Sequence, residues 1–160
     1  TDASVGAIAQ GCPMLDTCVI MGCPELTDRA VVQLSEGCPH IGTIVVADCP
    51  KVTDVGVCAL LRNCSLGRSS GSSMSFSGTA VSDASLRLLA EGRCPELVTI
   101  GLSNTDVTAD GVIAMLEGCP KLASLGLLDN PKMSRARTTT MVAEDVLVKI
   151  REKRPHVKVW

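Results

Sequence analysis

Residues 38–63 read CPHIGTIVVADCPKVTDVGVCALLRN, and this stretch decides the fold. It opens on Cys38-Pro39, passes through the spaced apolar residues Ile41, Ile44 and Val46, meets a second cysteine at Cys49, and runs from Thr53-Asp54 to Asn63. Alternation at Ile44 and Val46 predicts a short strand with one face turned inward. Thr53 followed by Asp54 predicts a helix start. The hydroxyl can accept from a free first-turn amide, and the carboxylate sits at the positive end of the helix dipole. Val57 and Leu60, three residues apart, define one buried helix stripe. Asn63 suits the left-handed position that closes a helix. A single strand and helix cannot bury their own apolar faces, so copies must stack.

The rest of the chain supplies the copies. Cys12-Pro13, Cys38-Pro39, Cys64-Ser65, Cys94-Pro95 and Cys119-Pro120 follow one another at spacings of 26, 26, 30 and 25. Strand sites recur as Leu15, Cys18, Ile20 and then Cys23; as Leu97, Ile100, Leu102 and then Asn104 or Thr105; and as Leu122, Leu125, Leu127 and then Asn130. Helix starts recur at Thr1-Asp2, Thr27-Asp28 and Ser82-Asp83. A small-residue column, Ser4, Ala30, Gly56, Ser85 and Gly111, is expected to let each helix approach the strand layer. It precedes the buried column Val5, Val31, Val57, Leu86 and Val112, and three residues on comes Ile8, Leu34, Leu60, Leu89 and Met115. Gly11, Gly37, Gly92 and Gly118 are expected to end helices in the left-handed conformation, as Asn63 does.

The fold class predicted is an α/β leucine-rich repeat solenoid, a right-handed superhelix or horseshoe with parallel concave strands and convex helices. Residues 1–160 form a single domain of about five repeats, over 12–37, 38–63, 64–93, 94–118 and 119–154, with a partial repeat at 1–11 and a closing segment at 155–160. A longer helix is expected near residues 142–153, and Trp160 is expected to cover the last layer. The chain opens in mid-repeat at Thr1-Asp2 with no N-terminal cap, so residue 1 is expected to continue from something else. Two stretches break the period: 68–73, rich in Ser and Gly, and 131–140, which carries Arg135 and Arg137. These are expected to be loops, and Arg68, Arg135 and Arg137 are the partner contacts they could offer.

Composition narrows the function classes. Hydrophobic residues make up 46 % of the chain, yet it holds one Phe, one Trp and no Tyr, so no stacking platform for single-stranded nucleic acid is available. A net charge of -2 gives no field that attracts nucleic acid or anionic membranes. No apolar run approaches the roughly 18 residues of a membrane span, and no signal-peptide pattern opens the chain. The nine cysteines are odd in number and follow the repeat, which points to reduced thiols in a cytoplasmic setting. Cys12, Cys18 and Cys23 occupy repeat columns, without the close pairing of a zinc site, so no metal is expected. His40 and His156 are the only imidazoles, and neither stands beside a nucleophile in the pattern. The glycines close helices and do not cradle a phosphate. No catalytic constellation and no cofactor are therefore expected, and the chain reads as no enzyme.

The outward strand positions are the candidate partner-binding surface. They are Thr17, Val19 and Met21; Thr43, Val45 and Ala47; Ser73, Ser75 and Ser77; Thr99, Gly101 and Ser103; and Ser124, Gly126 and Leu128. With no charged or aromatic member, they predict a smooth neutral floor on which a partner helix or extended segment could lie. Helical charges such as Arg29, Glu36, Arg62, Arg87, Glu91, Glu117 and the cluster Arg151 to Arg154 are expected on a solvated convex side.

These columns resemble the cysteine-containing leucine-rich repeat family, whose pattern is Cys-Pro, spaced Leu, a second Cys, then Thr-Asp and a short helix. The likeness spans nearly the whole chain. It implies a protein–protein interaction scaffold, first as the substrate-recognition repeats of an F-box-type Skp1–cullin ubiquitin ligase receptor. The alternative it implies is a structural subunit of a large ciliary, cytoskeletal or other assembly. No F-box is visible in the chain, so contact with the Skp1–cullin machinery would require a segment outside it.

Overall fold

A computed structural model describes residues 1–68, 71–133 and 142–160. Helices α1 (Asp2–Gly11), α2 (Asp28–Gly37), α3 (Asp54–Asn63), α4 (Asp83–Ala90), α5 (Ala109–Gly118) and α6 (Glu144–Lys153) alternate with strands β1 (Thr17–Met21), β2 (Thr43–Ala47), β3 (Ser72–Ser75), β4 (Leu97–Gly101), β5 (Ser124–Gly126) and β6 (Lys158–Val159). The strands form one open parallel sheet in chain order, β1 to β6. Each strand therefore pairs with the copy before and after it, and the helices line the opposite layer. This is the leucine-rich-repeat-type solenoid that the sequence predicts.

The core is the stack of inward columns. Ile41, Ile44 and Val46 are fully buried, as are Leu97, Ile100, Leu102, Leu122, Leu125 and Leu127. Phe76, the only phenylalanine, fills the same column in the third repeat beside Met74. The pairing of β3 with β4 has one irregularity: Ser72 pairs with Leu97 but Ser73 with Thr99, so Val98 is the unpaired extra residue on β4.

Neighbouring repeats are tied by side chains that bond across the junction. Thr27, Thr53, Ser82 and Thr108 cap α2 to α5, their hydroxyls accepting from first-turn amides. Each of these residues also donates its backbone N–H and its hydroxyl to the aspartate that begins the preceding helix: Asp2, Asp28, Asp54 and Asp83 respectively. The hydroxyl bonds run from 2.5 to 2.7 Å. The aspartates thus do more than favour their own helix dipole. The thiols behave alike, because Cys38 donates to the carbonyl of Cys12 at 3.2 Å, Cys64 to that of Cys38 at 3.5 Å, and Cys94 to that of Leu66 at 3.2 Å. Cys49 donates to Ala47 and its column-mates Thr79 and Thr105 to Phe76 and Leu102, all through backbone carbonyls.

Two expectations about small residues are corrected. Of the helix-ending positions, only Gly92 has a positive φ, +76°. Gly37 and Gly118 are glycines for a different reason: a Cβ there would strike the carbonyls of Ala9 and Leu89 in the preceding helix. Most of the other left-handed residues lie where strands end, at Gly22, Asp48, Gly78, Asn104 and Asp129, and Gly67 and Gly71 lie in the turn ahead of β3. The column of Gly56 and Gly111 makes room for the carboxylates of Asp28 and Asp83, not for the strand layer. The last helix begins at Glu144, two residues inside the expected start.

Candidate functional site

The sheet face turned away from the helices is the candidate binding surface, and register fixes its rows. Thr17 lies beside Thr43, Val19 beside Val45 and Met21 beside Ala47; Val45 continues to Ser75, Ser75 to Gly101, and Gly101 to Gly126. Ser73, Thr99 and Ser124 make a second row that ends at Lys158. Side chains of paired residues in a parallel sheet share a face, so the sequence-derived positions do converge on one surface.

Their exposure is uneven. Val19 and Met21 are 61 % and 60 % exposed, and Leu128 stands at 39 %. Thr17 is exposed, while Thr43, Val45, Ser73, Ser75, Ser77, Thr99, Ser103 and Ser124 are half-buried. Ala47, Gly101 and Gly126 are buried and form the bed of the surface without offering contact area. Gly101 is overlaid by Ser75 and Ser77, whose hydroxyls lie 3.3 Å apart. Arg68 is exposed on the turn that leads from α3 toward β3. Arg135 and Arg137 lie outside the described residues.

The expected smooth and neutral floor is corrected at its β6 end. Val157 is buried and Val159 half-buried, so the residues between and after them, Lys158 and Trp160, point outward. The Trp160 indole lies over Gly126, where an added Cβ would come within 2.7 Å of the ring, and its Nε1–H donates to Ser124 Oγ at 2.8 Å. It remains 49 % exposed. Trp160 therefore does not seal the last core layer; it adds an aromatic plate, close to Lys158 of β6, to the candidate surface. The alternation Val157-Lys158-Val159-Trp160 carried this signal, because period two puts Lys158 and Trp160 on one side.

Electrostatically the surroundings are quiet. Burial pushes the thiols of Cys64 and Cys119 up to about 11 and that of Cys94 up to about 12, which leaves them protonated and poor nucleophiles near neutrality. Among the described residues, no three His, Cys, Asp or Glu side chains converge as metal ligands would. No helix among them is long and apolar enough to cross a membrane.

No family model and no curated protein matches the chain in sequence. Its fold is similar to those of several solved structures. In the yeast Rad7 and Elc1 complex the match has a TM-score of 0.67 at 15 % identity, covering 91 % of this chain but only 32 % of that one. The Caenorhabditis elegans tropomodulin C-terminal domain gives 0.64 at 12 % identity, covering 97 % and 92 %. The leiomodin-1 actin-binding site 2 gives 0.66 at 10 % identity, covering 96 % and 87 %. The chain thus spans about a third of the Rad7 structure's matched chain and nearly all of the other two domains. At these identities the likeness is one of fold.

Proposed function

We propose that the chain is a non-catalytic interaction scaffold that holds a helix or extended segment of a partner protein across the strand face. The observation that carries this reading is the placement of exposed apolar groups at both ends of a bed of small residues. Val19 and Met21 stand at one end, Leu128 and Trp160 at the other. Large apolar side chains flanking a floor of Gly, Ser and Thr allow close approach in the middle and desolvated anchors at the sides, and tryptophan is among the residues that most often dominate binding energy. Lys158 beside Trp160 favours an acidic residue next to the partner's anchor.

For the role this serves, we infer substrate recognition in an F-box-type ubiquitin ligase receptor of the cysteine-containing repeat class, reached by a Skp1–cullin-binding segment outside this chain. The Cys-Pro and Thr-Asp columns support it, and so does a fold shared with Rad7, which was solved in complex with Elc1. The actin-binding site of leiomodin-1 supports a second reading, a structural subunit of a cytoskeletal or ciliary assembly. Nine thiols free of disulfides suit a reducing, cytoplasmic setting for either. Mass spectrometry of proteins that co-purify with the full-length, tagged protein from its native cell separates the two. Skp1 and a cullin in near-equal amounts support the first; actin or the subunits of one assembly, without Skp1, support the second. In either case Met21→Asp and Trp160→Ala should each weaken the captured partner's affinity about tenfold or more and leave the circular dichroism spectrum unchanged. Undiminished binding by both variants would remove the strand face from the proposal.

A further inference from the structure

Trp160 is fixed on the strand face at several points. Its backbone N–H donates to the Leu125 carbonyl at 3.0 Å, its carbonyl accepts from the Leu127 N–H at 2.8 Å, and its indole Nε1–H donates to Ser124 Oγ at 2.8 Å. Only a glycine at position 126 lets the ring come so close to β5. A ring held at its backbone and at its nitrogen keeps one orientation, with half of its surface still exposed. The hydroxyls around it are also set. Ser124 Oγ accepts from that indole, and Ser103 Oγ accepts from the Leu128 N–H at 3.1 Å. Among the described residues, neither hydroxyl has an acceptor for its own proton. Exposed Lys158 pairs with Ser124 in the sheet, and Leu128, bonded to Ser103, is 39 % exposed.

We propose that this end of the strand face takes a proline-containing segment in the polyproline II conformation, with a proline on Trp160, an acidic residue over Lys158 and an aliphatic one over Leu128. The proposal rests on the strand-face reading above and narrows its occupant. Hydrogen-bond complementarity selects the conformation. The sheet carbonyls are engaged between strands, so an ordinary extended segment would leave N–H groups without acceptors. A helix keeps its carbonyls for itself and would cover the two hydroxyl protons with nothing to receive them. A polyproline II segment has no internal hydrogen bonds, leaves its carbonyls free and lacks an N–H at each proline. That matches two hydroxyls with protons to give and oxygens already bonded. Aromatic surfaces take proline-rich segments in this way, while Lys158 disfavours a cation on the indole. From the level of Ser124 and Lys158 to that of Leu128, four residues of strand cover about 13 Å. A polyproline II segment crosses that span in about four residues.

The test is calorimetry and proton NMR of the full chain with the blocked peptide Asp-Pro-Pro-Pro-Leu; the reverse order Leu-Pro-Pro-Pro-Asp covers the other chain direction. One of the two should bind with a Kd of about 1 mM or tighter, its proline protons shifted upfield by the indole. The control Asp-Ala-Ala-Ala-Leu, which keeps both ends, should bind about fivefold more weakly or worse. Trp160→Ala should weaken binding about tenfold, and Trp160→Phe, which keeps a ring, by less. Lys158→Glu should weaken the aspartate peptide and prefer a peptide with lysine in the aspartate's place. No binding by either proline peptide, or equal binding by the alanine control, would overturn the proposal. A cross-linker placed at Leu128 in the full-length protein separates this failure from that of the scaffold reading. Capture of a native partner through a segment without proline overturns the polyproline assignment alone, whereas capture only from the helical side removes both.

Discussion

At the scale of single residues, the aspartates that open the helices are the most connected polar groups. Asp54 accepts from the backbone N–H and hydroxyl of both Ser82 and Ser85. Burial works against its anion, but these four bonds outweigh it and hold the carboxyl below its ordinary value of 3.8. The folded-state pKa is therefore depressed, so its stabilisation is present above the unfolded value and is lost as pH falls through the folded one. Urea titrations should show wild-type stability falling as pH drops below about 4, and Asp54→Asn should flatten that dependence. Asp54→Ala, which leaves four donors without their acceptor, should cost about 1–3 kcal/mol at neutral pH; a loss under a few tenths would mean water replaces the carboxylate. The role of these residues was half legible. Thr-Asp announces a helix start within one repeat, but the acceptor's real partners sit some 25 to 31 residues away in the next repeat. Gly37 and Gly118 follow the same logic. A glycine at a helix end has a local explanation, and the close carbonyl that actually requires it belongs to another helix.

Among the elements, α6 is joined differently from the rest. Its N-cap is Ala143, with no side-chain cap bond, and the helix before it begins with Ala109 where α1 to α4 begin with aspartate. Both halves of the Asp–Thr contact are thus missing at this one junction. Arg154 replaces the thiol and donates to the Leu116 carbonyl at 2.9 Å, while Lys153 reaches Glu117 in an exposed ion pair. Exposed pairs contribute little and are screened by salt. Native-state hydrogen exchange should therefore find α6 opening at lower free energy than α3 or α4, and opening more readily as ionic strength rises. Equal protection of α6 and α3 would mean that the apolar contacts of Val146 and Ile150, both buried, suffice. Element order and boundaries were readable because each strand and helix carries its own period and cap. The closing strand is legible as well, but the side that Trp160 takes is set by the pairing of β6 with β5 and by its bond to Ser124, 36 residues away in sequence.

For the whole molecule, stacking makes stability a sum of repeat and junction contributions. Cooperativity should then depend on where a junction is weakened. Asp28→Ala, which removes the contacts to Thr53 and Gly56 near the middle, should broaden urea unfolding and lower its slope as the two sides unfold separately. The same loss of energy placed at α6 should leave the main transition's slope nearly unchanged. Identical slopes in both variants would indicate a single all-or-none unit.

The position of Trp160 has an optical corollary. The chain holds one tryptophan and no tyrosine, so nearly all its near-ultraviolet emission comes from a single indole that stands half in water on the strand face. A ligand laid across Gly126 would dry that ring and shift its fluorescence toward the blue, whereas a protein seated on the helices would leave the spectrum as it was. The molecule carries its own unlabelled reporter of which side is occupied.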